Sequence, residues 1–251
     1  MDSKITRYLP PVLWLLLFLL AVYRFDWIAG ALSFLGSGKG ALRARAPLSF
    51  YVGQHIALVL TSTFFSLALG ITLGVLTRFK AFFEFKEPLL KAATFLQTLP
   101  SVAILALSVP LLGYGQGPVV IALVFYGLLP ILRNIIQGLD AVPEEVRVSA
   151  AGMGMTPWQR LVSVEWPLAL PAVLAGIKTS VIVNVSAATI GAAMGAGGLG
   201  VLIVNGIRTM DVLLILKGAL PVSLMAFLIN SVFILMEKQW SFNPQGRQLS
   251  S

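Results

Sequence analysis

The feature that most constrains this chain is a succession of apolar segments, separated by short polar connections. Each segment has about 20 residues, the length of α-helix that crosses the hydrocarbon layer of a bilayer. Hydrophobic residues make up 57% of the 251-residue chain and charged residues only 11%. A soluble domain carries about 25% charged residues. We therefore predict an all-α, multi-pass membrane protein.

The apolar segments predict about six transmembrane helices with both termini in the cytoplasm. Lys4 and Arg7 precede the first segment, and positive residues before a first span favour a cytoplasmic N-terminus. The predicted spans are residues 8–23, 51–77, 88–112, 119–136, 168–190 and 212–236. A kink is expected at Pro100 in the third span. Residues 191–200 form a glycine-rich break near the outer side, and 201–209 a short re-entrant or interfacial helix.

The first segment has an alternative interpretation as a signal peptide, because Ala29-Gly30-Ala31 resembles a cleavage site. Arg24 and Asp26 lie between the apolar run and that site, and the run is long enough to anchor the chain, so we favour an uncleaved helix. The predicted organisation follows: an N-terminal helix and external loop in residues 1–50, a core domain formed by the remaining spans in 51–236, and a cytoplasmic tail in 237–251.

The composition excludes several classes of function. A net charge of +8 suggests nucleic-acid binding in a soluble protein, but most basic residues here flank apolar runs, where they orient helices and contact anionic lipid. The chain has no cysteine, one histidine and ten acidic residues. We therefore expect no enzymatic activity, cofactor, metal or nucleic acid, and interpret His55, which has no partner cluster, as structural rather than as a ligand or switch.

A polar segment, residues 142–167, separates the fourth span from the fifth. Pro143 fits the first position of a helix, and Glu144 and Glu145 then lie in the first turn, where negative charge suits the helix dipole. Gly152 and Gly154 end this helix. The sequence predicts a short helix that stops at a glycine corner.

A second short helix follows the corner. Thr156-Pro157-Trp158-Gln159 is a capping-box pattern with proline at the first helical position. Pro167 and Pro171 are expected to stop the helix where the chain enters the membrane. Small residues leave the corner between the two helices nearly bare of side chains, so that it can enter a groove of another protein. An ordinary cytoplasmic loop is the alternative.

The polar segment resembles the EAA loop of ATP-binding-cassette importer permeases. That pattern is Glu-Ala-Ala, three residues, Gly, nine residues, then Ile-x-Leu-Pro. Ala150 takes the place of the second alanine, Gly154 of the glycine, Val164 of the isoleucine and Pro167 of the proline.

Three positions depart from this pattern. Ser149 replaces the first alanine, Trp166 replaces the leucine, and Val148 stands where the glutamate is expected. An ion pair from position 148 to an ATPase is therefore not available, and Glu144 or Glu145 is the alternative source of one.

Several further segments resemble the osmoprotectant branch of these permeases, which transport glycine betaine, choline, carnitine and proline. The resemblance covers about residues 51–236. The segments that carry it are 97–101, 129–134, 152–159, 165–177, 184–191, 195–200 and 218–221.

The resemblance implies a type I importer fold in a bacterial inner membrane, with the polar segment as a coupling-helix hairpin. It implies that two permease subunits pair, that each docks its hairpin on a cytoplasmic ATPase, and that an extracytoplasmic solute-binding protein delivers the solute. ATP is hydrolysed on the partner, because the glycine-rich run 195–200 lacks the Lys-Ser/Thr of a nucleotide site. The residues implied in ATPase coupling are Val148, Ser149, Ala150, Ala151, Gly152, Gly154 and Met155.

Polar residues inside the spans are candidates for the translocation path. These candidates are Gln97, Asn184, Ser186 and Thr189; the last three have an alternative role in hydrogen bonds between helices. Lys178 either lines the path or, as we favour, extends to the interface. The rival functions are a permease for another small zwitterionic solute or amino acid, a standalone carrier or channel, and a membrane-embedded enzyme.

Overall fold

A computed structural model describes residues 2–32, 34 and 46–240. Within them the chain forms eleven α-helices and no β-strand, which confirms the all-α prediction. The helices are α1 (Asp2–Tyr23), α2 (Phe25–Ala31), α3 (Leu48–Leu76), α4 (Lys86–Thr98), α5 (Ser101–Leu112), α6 (Gln116–Asp140), α7 (Glu144–Gly152), α8 (Pro157–Arg160), α9 (Trp166–Gly191), α10 (Gly200–Thr209) and α11 (Val212–Trp240). Most of the predicted external loop, and the tail beyond residue 240, lie outside the described residues.

Among the described residues, four helical segments are long and apolar enough to cross a membrane. They are Leu48–Leu76, Gln116–Asp140, Pro157–Met194 and Val212–Glu237. A fifth span is added if α1 and α2, which meet at an 83° bend, count as one. These segments correspond to the second, fourth, fifth, sixth and first predicted spans.

The third predicted span, residues 88–112, is wrong as a single kinked helix. The chain divides into α4 and α5, with Leu99 extended at ψ 132° and Pro100 at ψ 134°. A proline clashes with a helical conformation of the residue before it, and it lacks the N–H that would continue the helix. The break is therefore complete where the sequence interpretation expected only a kink.

Helix α6 forms the centre of the bundle and packs between α3 and α9. In its apolar window 67% of the residues are buried, against 33–39% in the other three long segments. Gly70 and Gly74 allow α3 to approach it closely: an added Cβ would lie 2.6 Å from Ile131 at the first position and 2.7 Å from Ile135 at the second. Small residues four apart thus form the contact surface of α3.

The predicted glycine-rich break follows α9 and is confirmed. Gly195, Gly197 and Gly198 have φ between 76° and 82°, a left-handed conformation that only glycine adopts readily. The N–H of Gly198 donates to Gln54 Oε1 at 3.0 Å, which joins the break to the start of α3. The short helix α10 follows, as the sequence predicts.

Gly70→Ala tests the close packing of α3 on α6. Its methyl group would collide with Ile131, which has no exposed surface, so we expect a loss of about 1–3 kcal/mol of unfolding free energy. Chemical unfolding of the detergent-solubilised protein measures it. Gly53→Ala is the matched control, because it lies on the same helix and an added Cβ there meets nothing within 4 Å. Equal stability of the two variants would contradict the packing account.

Candidate functional site: a helical hairpin anchored by buried ion pairs

The polar segment folds into the predicted hairpin of two helices. Pro143 is the residue before α7, rather than its first residue, and Glu144 and Glu145 occupy the first turn. The helix ends at Gly152, and Gly154 follows at φ 80°. The N–H of Gly154 donates to Ala151 O at 2.9 Å and that of the next residue to Ala150 O at 3.3 Å. This pair of hydrogen bonds is a Schellman motif, which fixes the corner.

The second helix begins with the predicted capping box. The N–H of Gln159 donates to Thr156 Oγ1 at 3.3 Å, and the N–H of Thr156 donates to Gln159 Oε1 at 2.9 Å. Pro157 takes the first helical position, where the absence of an N–H costs nothing. Both sides of the corner are therefore held by specific hydrogen bonds.

The second helix does not stop at Pro167 or Pro171, so that prediction is wrong. It passes from α8 through a π-helical turn, Leu161–Glu165, directly into α9. The last bond of this turn joins Trp166 N–H to Leu161 O, immediately before the proline. A π turn changes the hydrogen-bond register, and the proline then falls in the first turn of the following helix, where it is tolerated. The hairpin and the membrane span are consequently one continuous rod.

The tip of the hairpin is exposed and largely apolar. The side chains of Val148, Met153 and Trp158 are 61%, 71% and 59% exposed. A Cβ added at Gly152 or Gly154 would meet nothing within 4 Å. Large exposed apolar side chains around a bare glycine corner, at the polar end of the bundle, are typical of a surface that contacts another protein.

The structure separates the predicted coupling residues into two groups. Those on the surface are Val148, Ser149, Ala151, Gly152 and Gly154, with Met155 half-buried. Ala150 is only 1% exposed and faces into the hairpin. It can support the shape of the corner but presents no surface for contact with a partner.

Glu165 anchors the hairpin to the bundle. Its side chain is 2% exposed, and its two carboxylate oxygens are shared by two arginines. Arg78, just beyond the end of α3, donates to Oε2 from Nη2 at 2.7 Å and from Nε at 3.0 Å. Arg160, at the end of α8, donates to Oε1 at 3.0 Å. A buried carboxylate between two guanidinium groups joins the hairpin to α3.

A second set of charges extends this anchor to α4 and α6. Asp140, the last residue of α6, lies 2.5 Å from Lys86 Nζ and 3.9 Å from Arg78 Nη1. Arg147 donates to Leu139 O at 2.5 Å and to Asp140 O at 3.4 Å, so that it caps the carbonyl end of α6. By the positive-inside rule, this basic end of the bundle is the cytoplasmic one.

The sequence interpretation missed this anchor. Glu165 lies among apolar residues at the entrance of a span, and a carboxylate in that position requires a buried partner. That signal was present, but its partner Arg78 lies 87 residues away along the chain and periodicity does not reveal it.

The comparisons with known proteins agree with this architecture. Residues 66–239 match the model of the family described as binding-protein-dependent transport system inner membrane component. The chain belongs to that family. It is therefore a permease, a membrane-embedded component of a transport system, and the predicted location in an inner membrane is confirmed.

Two relatives resemble the permease over most of their length, and a third over less than a third of its length. It is 41% identical to the osmoprotectant import permease protein OsmW of Salmonella typhimurium, over 80% of this chain and 93% of that protein. It is 38% identical to the glycine betaine/carnitine/choline transport system permease protein OpuCB of Bacillus subtilis, over 80% of this chain and 91% of that protein. It is 39% identical to the ergothioneine transport permease/ergothioneine binding protein EgtU of Helicobacter pylori, over 66% of this chain and 30% of that protein.

A solved structure confirms the fold. The permease superposes on a chain of the MetNI methionine ABC transporter in an inward-facing conformation with a TM-score of 0.69. The match covers 77% of this chain and 96% of that chain, at 21% identity. The predicted fold, that of an importer permease, is thereby confirmed.

Three of the predicted path residues of the permease lie on α9, where they differ in burial and in hydrogen bonding. Asn184 is fully buried, and its Nδ2 donates to Thr63 Oγ1 at 3.3 Å, which joins α9 to α3. Thr189 donates to Ser186 O at 2.6 Å within α9. The side chain of Gln97 lies outside the described residues. Of the two roles considered for Asn184, the contact between helices is the one that its geometry fits.

Two further polar residues hold the spans of the permease together. His55 is fully buried, and its Nε2 lies 3.1 Å from Val185 O on α9, in agreement with a structural role. Lys178 has a partner that the sequence interpretation did not consider: its Nζ lies 2.7 Å from Glu237 Oε1, near the end of α11. Opposite charges at this depth stabilise each other's burial.

Glu165→Gln tests the anchor of the hairpin. The neutral amide cannot compensate the charge of Arg78 and Arg160, so we expect a loss of about 2–3 kcal/mol of unfolding free energy, less than for a fully enclosed pair because both arginines are partly exposed. Faster amide exchange is expected in residues 157–165.

Glu87→Gln is the matched control for this substitution. Glu87 pairs with Lys91, and both side chains are 80% exposed, so its neutralisation should cost no more than about 0.5 kcal/mol. The two variants are compared by chemical unfolding in detergent. Losses of the same size would contradict the assignment of Glu165 as the anchor.

Proposed function

We propose that this permease forms the translocation path of an ATP-driven importer for osmoprotectants such as glycine betaine, choline, carnitine or proline. The observation that carries the proposal is the near full-length identity of 38–41% to permeases described as transporting osmoprotectants or glycine betaine, carnitine and choline. The motifs 152–159 and 165–177, which resemble the same branch, fall on the hairpin and on the rod that leaves it.

The hairpin supports the assignment of a cytoplasmic ATPase as the partner that drives transport. Its tip presents Val148, Met153 and Trp158 to solvent beside the open corner at Gly152. Burial of these side chains against a partner is favourable by roughly 1.5–3 kcal/mol for each one fully covered. A standalone carrier or channel does not require an exposed apolar hairpin tip of this kind, because it docks on no ATPase.

The proposed mechanism is mechanical. Closure of the ATPases moves the two docked hairpins of a permease pair, and each hairpin carries α9 with it because the rod between them is continuous. Glu165 passes the same displacement to α3 through Arg78. The cavity then alternates between inward and outward access, while a separate solute-binding protein supplies the solute from outside.

A second candidate is an importer for a different small zwitterionic solute. The 39% identity to a permease described as transporting ergothioneine favours it, although the chain covers only 30% of that protein. The fold and the hairpin are compatible with either solute class, so a direct test of the solute decides between them.

Gly152→Trp tests the docking of the hairpin. A Cβ at this open corner meets nothing within 4 Å, so we expect the indole to lie on the surface and folding to persist while the ATPase is lost from the complex. We expect at least a tenfold fall in the amount of ATPase that co-purifies with the tagged permease, or roughly 1.4 kcal/mol. Gly117→Trp, at the opposite end of the bundle and equally open, is the control. Unchanged co-purification with Gly152→Trp would refute the docking surface.

Binding by the partner solute receptor tests the substrate. We expect at least one of glycine betaine, choline, carnitine and proline to bind in calorimetric titrations, and to be taken up by cells that express the whole transporter. Ergothioneine serves as the comparison ligand. Binding of none of the four would overturn the substrate and leave the permease assignment intact.

A further inference from the structure

A polar cleft lies where the hairpin meets the end of α3. Its volume is about 270 Å³, and it opens to the surface beside the hairpin tip. Its lining consists of Arg78, Glu144, Arg147, Val148, Ala151 and Arg160. Three guanidinium groups thus border a space with a single carboxylate on its rim.

Several N–H donors of these guanidinium groups have no hydrogen-bond acceptor. Arg160 uses only Nε, for Glu165, and its two terminal nitrogens bind no acceptor in the described part of the chain. The Nε of Arg147 is buried without a hydrogen-bond partner among the same residues. Arg78 Nη1 has only a long contact, 3.9 Å, to Asp140. A guanidinium offers five N–H donors, so the cleft lacks acceptors.

The acidic residues nearby do not satisfy these donors. Both oxygens of Glu165 are already engaged, and the residue lies beneath the cleft with 2% exposure. Glu144 on the rim is 74% exposed and pairs with Arg147 Nη1 at 3.2 Å. The three guanidinium groups thus keep unused N–H donors at the cleft, which suits a planar carboxylate that can bind two N–H groups at once.

The cleft adjoins the hairpin tip, the surface proposed to dock on the ATPase, because Val148 belongs to both. Val148 lines it and is 61% exposed on the same face as the hairpin tip. The importer pattern expects a glutamate at this position, which would put a negative charge beside the arginines. The valine adds no negative charge there, so the arginines remain accessible to an acceptor from outside.

We propose that the cleft receives a carboxylate side chain of the cytoplasmic ATPase. The inference rests on the proposed docking of the hairpin and adds the chemistry of the contact: an acidic residue of the ATPase enters between Arg160, Arg147 and Arg78. Charge complementarity and continuity with the exposed tip favour this occupant over a lipid phosphate.

Charge substitutions at Val148 test the proposal in the whole complex. Val148→Glu and Val148→Gln remove the same apolar side chain and differ by one charge, and neither has to be buried in the permease. A carboxylate at this position would repel the acidic residue of the ATPase and compete for the arginines. We expect the affinity of the ATPase for Val148→Glu to be at least roughly tenfold lower than for Val148→Gln at low salt, with the difference shrinking as salt rises.

Equal or tighter binding by Val148→Glu would overturn the acidic partner, since a basic residue of the ATPase would favour it. A lipid source is separated by repeating the titration in phosphatidylcholine vesicles with and without phosphatidylglycerol. A difference between Glu and Gln that exists only with the anionic lipid would also overturn the proposal. If the unmodified permease fails to bind the ATPase at all, the proposed function itself fails, which is a distinct result.

Val148→Lys supplies an independent readout. A water-soluble carbodiimide joins an ammonium to a carboxylate only when the two are in contact. We expect a cross-link from position 148 to an aspartate or glutamate of the ATPase, located by mass spectrometry of the assembled complex. Lys91, 80% exposed on α4, is the internal reference for random coupling. Cross-linking at position 148 no greater than at Lys91 would contradict the inference.

Discussion

The rest of this structure depends on one interaction: the buried ion pairs of Glu165 with Arg78 and Arg160. A charge with 2% exposure is stable only because Arg78 and Arg160 donate to both of its oxygens. Those two arginines belong to different parts of the fold, the end of α3 and the end of α8. The cost of burying the charge is thus offset only when the hairpin and the bundle are correctly assembled, which ties the hairpin's position to that of the spans.

In the proposed mechanism, the same constraint lets a small surface hairpin act on long helices. The hairpin is stiff because a Schellman motif and a capping box hold its corner, and it is continuous with α9 through the π turn. Close packing then extends the connection: α9 and α3 both lie against α6, where Gly70 and Gly74 permit helix contact without intervening side chains. The proposed mechanism therefore has a displacement of the tip move α9 and α3 together.

Local signals in the sequence predicted much of this fold, and long-range pairings account for the rest. The lengths of the apolar segments predicted the spans of α3, α6, α9 and α11. The capping-box residues Thr156 and Gln159 predicted the start of the second hairpin helix. The complete break at Pro100 and the continuation through Pro167 were misjudged, because the effect of a proline depends on whether the neighbouring turn can change its hydrogen bonds. The partners of Glu165 depend on tertiary packing, which no local pattern encodes.

The most direct test of this account is the distance between the hairpin and α3 across the transport cycle. The chain has no cysteine, so Ser163→Cys and Thr72→Cys, both at exposed positions, can be spin-labelled specifically in the complex with the ATPase. Pulsed electron resonance then compares the nucleotide-free and ATP-bound states. The account predicts the same distance distribution in both states, since hairpin and span move as one body. A shift of that distribution on ATP binding would contradict it.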